Sequence, residues 1–473
     1  MIVMADLREK AGYVAKSGPR RESERGSVLV MVTVLSFVMF LMGLTYLSAV
    51  ERFGQYVSIQ VSRSQSYYAA FAGLADGEAM VRSGDVSFDY TGDWDDWYGF
   101  IKYRTLIEPS GGEEFGYGFA NGYNISGEGV STFNGWDGEF RSTLHRSYEV
   151  STFADYLYLT DKERDPRRLG IVFFWSPDTL DGKVHSNDTL HFSGTPRFMK
   201  RVTSSAPVTD PPYPDAQFDE GIYLNAARIF FPDQADEIRN FNGYPGWGTH
   251  NPDSATEITF SGPYIYRRYC GYDEDGVFQC IPDNIASAFM IVLPATGALF
   301  IDGKVIVKAD RGRPDIMDPA FISSGYSGRM TLASSDTMII PDNLVYMSAN
   351  PDNSVPTTSR DVLGLISENY IMFGEDVADT IYIDAAMAAI KGSITVQDIY
   401  EYGQTNEKQS LFIYGCLAQR NRGLVHSSFG GGLRGFIEKD YHYDTRLAKS
   451  PPPHYLPTRQ NPRIYSEGFY DEG

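Results

Sequence analysis

Ser27–Val50, SVLVMVTVLSFVMFLMGLTYLSAV, contains no Asp, Glu, Lys or Arg and follows directly on Arg25 and Gly26. A helix rises about 1.5 Å per residue, so this run would be roughly 36 Å long, against a hydrocarbon core of about 30 Å. It reads as a membrane-spanning helix, and no second run of comparable length follows it. Residues 1–26 carry Arg8, Lys10, Lys16, Arg20, Arg21 and Arg25 against Asp6, Glu9, Glu22 and Glu24. That positive excess predicts a cytoplasmic leader and puts the bulk of the chain outside the cytosol. A cleaved secretory signal is the competing reading, but its apolar part is usually about 7–15 residues and ends in a small-x-small site. Leu47-Ser48-Ala49 matches that site poorly.

No proline occurs from Glu51 to Arg82, and Phe53, Val57, Val61, Tyr67, Phe71 and Leu74 recur at helical spacing. The spacing predicts one helix over residues 27–82, apolar in its first half and amphipathic in its second. An anchor followed by a separate packed helix would show the same periodicity.

The chain as a whole is acidic, with 61 Asp plus Glu against 41 Lys plus Arg and a net charge of −20. Nucleic-acid binding needs a basic footprint and is disfavoured. The 32 Tyr, 29 Phe and 46 dispersed Gly favour many short strands over long helices, so the outer part is expected to be mainly β. Residues 83–168 alternate turn signals with short aromatic runs and read as a β-rich subdomain. From residue 169 to 448 short apolar runs recur between Gly, Asn, Asp and Pro, among them Ile171–Trp175, Ala298–Ile301, Lys304–Val307, Asn369–Phe373, Thr380–Ile383 and Ser393–Val396. Such repetition predicts a parallel β-helix. An antiparallel β-sandwich is the alternative, supported by hairpin-type pairs such as Asp181-Gly182, Asp275-Gly276 and Asp302-Gly303. Residues 205–280 read as an insertion, with helical turns expected at Ala226–Phe230 and Gln234–Ile238. Residues 449–473, rich in proline, read as an extended tail.

The order Arg25-Gly26, Ser27-Val28-Leu29-Val30-Met31, a long apolar helix and then Ser64-Gln65-Ser66-Tyr67-Tyr68-Ala69-Ala70-Phe71-Ala72-Gly73-Leu74 resembles the start of PilX-like minor type IV pilins and the largest minor pseudopilins of type II secretion. The resemblance covers about 60 residues and implies a bacterial inner-membrane protein. It also implies cleavage by a prepilin peptidase between Gly26 and Ser27, and assembly with other pilins or pseudopilins. Val28, Leu29, Met31 and Leu35 would then pack in membrane or filament, with Phe53, Val57 and Val61 continuing the stripe. Major pilins carry Glu at the fifth mature position, where this chain has Met31. Without that carboxylate the resemblance points to an accessory or tip subunit. A second resemblance rests on Leu180–Asp188, Leu363–Ser367, Tyr382–Ala389 and Gly435–Leu447, which look like an uncharacterised bacterial domain often joined to a pilin-like start. It implies a β-solenoid on a pilin stem and names no activity.

Cys270 and Cys280 bracket a turn-rich segment, and a hairpin-closing disulfide suits that spacing in an oxidising compartment. Cys416 reads as a small buried residue. The oxygen-rich loops at Asp93, Asp95 and Asp96, and at Asp273, Glu274 and Asp275, are candidate calcium ligands, since the pseudopilins of the resemblance can bind calcium. Neither fits an EF-hand. No other cofactor is expected. His185-Ser186-Asn187-Asp188 combines a base, a hydroxyl and a carboxylate, but neighbouring strand residues face opposite ways, so a turn between coils is the expected role. Asp302, Asp336, Asp342, Asp361 and Asp384 fall singly, and no catalytic residues are assigned. A carbohydrate-active enzyme on a β-helix is the alternative from another class. Aromatic loops could also contact surface carbohydrate.

Overall fold

The computed structural model describes residues 24–83, 90–110, 122–132, 138–149, 151–167, 170–176, 178–248, 251, 253–282, 290–309, 311–314, 322–401, 405–428, 432–458 and 463–472. One continuous helix, α1, spans Glu24–Ser83. Its apolar window is wholly unburied. The second half of α1 lies on an antiparallel sheet of β1 (Ile101–Ser110), β2 (Gly122–Thr132) and β3 (Glu139–Glu149). Ala70 and Leu74 of the helix pack there on Ile107, Ile125 and Leu144.

The rest of the chain winds into parallel coils. It begins with β4 (Tyr158–Lys162), β5 (Phe174–Trp175), β6 (Thr179–Asp181) and β7 (Val184–Ser186). Two further coils stack on these, with strands Arg197–Phe198 and Val202–Ser204, then Gln217–Phe218 and Ile222–Tyr223. The chain next crosses to the opposite end of the stack and starts again at Ala298–Ile301 and Lys304–Lys308. Coils at Arg329–Ser334 and Met338–Ile340, then Val362–Ser367 and Ile371–Phe373, lead to β8 (Thr380–Ala389) and β9 (Ile394–Val396). Then follow β10 (Asn406–Asn421) and β11 (Arg434–Tyr443).

β10 is long enough to serve two neighbours. Its first part pairs in parallel with β11 and its last part with β4, while β11 pairs with β6 and β4 with β7. The last coil of the sequence therefore stacks on the first. One ladder of inward residues runs through this seam unbroken, from Leu299 through Leu332, Leu365, Met387, Leu417, Tyr158, Val184 and Val202 to Ile222. Parallel strands lie about 4.8 Å apart, so each rung packs directly on the next, and apolar burial along this line holds both halves as one core.

The opposite faces of the same strands carry small residues, Ala386, Ala388, Cys416 and Ala418, covered by Ile229, Phe231 and Ile238 of the crossing segment and by Tyr455 and Leu456. Small side chains let these covering segments approach closely, and Cys416 is buried among them as a free thiol.

Several expectations change. The expected parallel pairing describes the coils, where antiparallel pairing occurs in local hairpins such as Ala255–Gly262 with Tyr264–Tyr272. Asp275-Gly276 does sit in a hairpin turn, whereas Asp181-Gly182 and Asp302-Gly303 are corners between consecutive strands of a coil. Residues 205–280 are not a simple insertion, because 217–223 complete coils and Ala255–Gly262 pairs in parallel with Lys304–Lys308. Ala226–Phe230 is not helical, while a short helix at Asp236–Asn240 overlaps the second helical expectation. Residues 449–473 are not a free tail. Pro451, Pro452 and Pro453 are buried, and a strand at Arg463–Glu472 pairs with β3. Both passages between stem and coils run side by side, with Phe153 N donating to Leu456 O at 2.8 Å and Thr458 N to Ser151 O at 2.9 Å.

Candidate functional site

The stem is where the sequence points, and its geometry depends on glycine. Gly73 and Gly77 lie one turn apart on α1, and Gly127 and Gly129 share one face of β2. A Cβ on Gly127 would stand 2.0 Å from Ala70 O, one on Gly129 2.0 Å from Ser66 O, and one on Gly73 2.5 Å from Arg104 O. Backbone meets backbone here, which no larger residue permits. Polar groups fix the register along the contact. Thr105 Oγ1 donates to Gly73 O at 2.7 Å, Ser66 and Ser142 hydroxyls meet at 2.8 Å, and Ser131 Oγ donates to Gln65 Oε1 at 3.1 Å. Arg146 pairs with Glu78, and Tyr103 OH donates to Asp76 Oδ2 at 2.9 Å. That bond, with burial, pushes the Tyr103 phenol up to about 12. The sequence signal for this interface is the small-xxx-small spacing Gly73-x-x-x-Gly77, which the sequence reading did not use.

The expected packing residues fall on the unburied part of the same helix. Val28, Leu29, Met31 and Leu35 are exposed, as are Phe53, Val57 and Val61, and nothing among the described residues covers them. Gly26 and Ser27 lie in the first turns of α1.

The other candidate residues serve local structure. Asp95 and Asp96 lie on an exposed strand, and Asp96 pairs with Lys102 at 3.2 Å. Asp273 Oδ1 accepts from Asp275 N at 3.0 Å and Val277 N at 2.8 Å, and Oδ2 from Gln279 Nε2 at 2.7 Å. Among the described residues neither acidic loop, Asp93 included, gathers three metal-ligating atoms within 4.8 Å; the one group that does is Glu257 with Cys270 and Cys280. Those two sulfurs form a disulfide across directly opposed strand positions, and Glu257 pairs with Arg268 and Lys308. His185 and Ser186 belong to β7 rather than to a turn. Asn187 beyond them ties down the crossing segment, accepting from Ile229 N at 2.8 Å and donating to Ile229 O at 2.6 Å. Burial lowers the His185 imidazole. Asp361 and Asp384 hold backbone N–H groups of Gly328 and Tyr346.

A cluster of buried charges at the seam was not foreseen. Arg422 and Glu163, both buried, pair at 2.9 Å, and Ser186 Oγ donates to Glu163 Oε1 at 2.8 Å. Burial opposes the Arg422 charge, but Tyr158, Glu163 and Asp178 hold the guanidinium above its ordinary value. Lys439 and Asp178 pair at 2.8 Å beside them. No local pattern could have marked these residues, since they meet only when the coils close.

A family described as a domain of unknown function, DUF4900, matches residues 122–206, which run from β2 of the stem into the first coils. No curated protein matches the chain. Among solved structures, the competence-associated pilin ComZ from Thermus thermophilus aligns over 87% of this chain and 98% of its own, at 10% identity and a TM-score of 0.29. At that level the likeness carries neither fold nor function.

Proposed function

We propose that the chain is a membrane-anchored, pilin-like structural subunit, acting as an accessory or tip component of a type IV pilus or type II secretion pseudopilus. The observation that carries this reading is α1, one helix of 60 residues whose apolar part is uncovered and whose later part is clamped to its own β-sheet. The uncovered part is long enough to span a bilayer. The clamp makes the helix and its sheet a single unit, so any contact made by Val28–Val61 positions the sheet from which the chain enters the coils. Met31 in place of a carboxylate supports an accessory role over that of a bulk subunit, because a buried charge needs a partner. Expected partners are the inner membrane, other pilins or pseudopilins and a prepilin peptidase. No chemical step is assigned to the chain.

The test is the amino terminus of the mature protein in cells with and without the peptidase. The proposal expects Ser27 as first residue only where the peptidase is active. An unchanged terminus would leave an anchored outer domain and end the pilin reading.

A further inference from the structure

The stack is closed on two faces and open on the third. There the strands Lys304–Lys308, Met338–Ile340, Ile371–Phe373 and β9 pair in order, and among the described residues β9 has no further partner. Across the seam β5 resumes the face but, among the described residues, pairs with Phe192–Ser193 alone. Between these edges opens a cleft of about 490 Å³, walled by residues 171–175 on one side and 422–428 on the other, with Tyr158, Lys439 and Tyr441 at its base.

Its lining is unlike the aliphatic core elsewhere. Lys439 stands in register with Leu411, which follows Ile381 in an inward ladder, so a lysine occupies a position its neighbours fill with hydrocarbon. Its side chain is 11% exposed and its partner Asp178 is 5% exposed. Burial pulls the Lys439 amine below its ordinary value, against the pull of Asp178. An ammonium has three donors, and Asp178 with the Trp175 ring, 5.2 Å away, accounts for part of that capacity. The second pair below, Arg422 with Glu163, is likewise balanced. The cleft thus offers adjacent donors and acceptors and no net charge. Its mouth is apolar, with Ile171 43% and Phe173 41% exposed and Trp175 stacked against His426.

Donors beside acceptors, charge balance and aromatic edges together select a ligand with vicinal hydroxyls and a C–H face. We propose that the seam cleft binds one neutral pyranose residue of a glycan, its hydroxyls bridging Lys439 and Asp178 and its C–H face against Phe173. The size suits it, since small-ligand sites commonly measure about 300–1,000 Å³. An anionic sugar would have to disrupt the Lys439–Asp178 pair to gain a counter-charge. The inference does not rest on the filament reading, and glycan binding by a chain that is never cleaved at Gly26 would keep the site and remove the pilin.

The test uses the full chain in a detergent without a sugar headgroup. Neutral and acidic oligosaccharides are screened by saturation-transfer NMR, and affinities of the binders follow from calorimetry. Expected is binding of at least one neutral oligosaccharide, weakened about tenfold or more by Phe173→Ala and lost in Lys439→Met. Phe173 is 41% exposed and its ring meets buried His191 at 5.7 Å, so its variant should fold and melt close to the wild type, which keeps the test valid should Lys439→Met fail to fold. No binding by any neutral oligosaccharide, binding by acidic ones alone, or an affinity that Phe173→Ala leaves unchanged would overturn the site.

Discussion

Gln419 Nε2 donates a hydrogen bond to the hydroxyl of Tyr158 at 2.8 Å, across 261 positions of sequence. The same amide's Oε1 accepts from Ile394 N at 2.9 Å and from Gly423 N at 3.1 Å. One side chain therefore joins the first strand of the stack, the end of the third face and the turn after β10. Tyr158→Phe removes the acceptor and strands a buried donor, which should cost about 1–3 kcal/mol. Gln419→Leu orphans two backbone N–H groups as well and should cost more. Urea unfolding of the full chain in detergent measures both. Equal stability of Gln419→Leu and wild type would mean that the coils do not close through this amide.

That closure also marks the limit of what could be read from sequence. The helix α1 was legible because its periodicity is local, and the coils were legible as repeated apolar runs. The order of stacking was not, since a run such as Leu411–Gln419 does not reveal that its later half will meet Tyr158–Thr160. The proline-rich end misled for a related reason. Proline lacks a donor and breaks periodicity, yet Pro451–Pro453 need no pattern of their own to be buried beside Thr331 and Gly364. Within the stem, Phe53, Val57 and Val61 could be placed on one helix, but the glycine contacts of β2 depend on a sheet that sequence did not pair.

Glu163 is fully buried and faces Arg422 at 2.9 Å, 259 positions away. Glu163→Ala would leave an uncompensated guanidinium in the core at a cost of about 3–5 kcal/mol. Replacing both, Glu163→Leu with Arg422→Met, should recover much of that loss, because a buried ion pair gives little net stability over a well-packed apolar pair. If the double variant proves no more stable than Glu163→Ala, the coupling between them is absent.

Tyr158 ionises at about 12 in the fold against 10.0 ordinarily, chiefly because burial disfavours the phenolate. Tyr326, Tyr346, Tyr441 and Tyr455 are pushed well above the ordinary value for the same first reason. The unfolded chain gives up these protons first, so between pH 10 and about 12 it binds fewer protons than the fold and stability falls as pH rises. The contribution is whole below pH 10. Melting temperature should therefore drop through that window, and phenolate absorbance should appear in step with unfolding. Full tyrosinate absorbance before any melting would contradict this burial.

The glycine contact between α1 and β2 can be tested with two alanines. At Gly127 a new Cβ would meet Ala70 O at 2.0 Å and Leu74 N at 2.4 Å, both backbone atoms that cannot swing aside. The helix must lift from the sheet, and overpacking of this kind costs about 1–3 kcal/mol. At Gly54, in the same helix, a Cβ would meet nothing within 4 Å, so alanine there should be neutral or stabilising by up to about 1 kcal/mol through helix propensity. Limited proteolysis reads the difference, since a lifted helix exposes the segment from Ser62 to Leu74 that the sheet now covers. Gly127→Ala should be cut faster there and Gly54→Ala no faster than wild type. Equal protection in both variants would mean that the stem is not clamped, and the outer domain would then swing freely on its anchor.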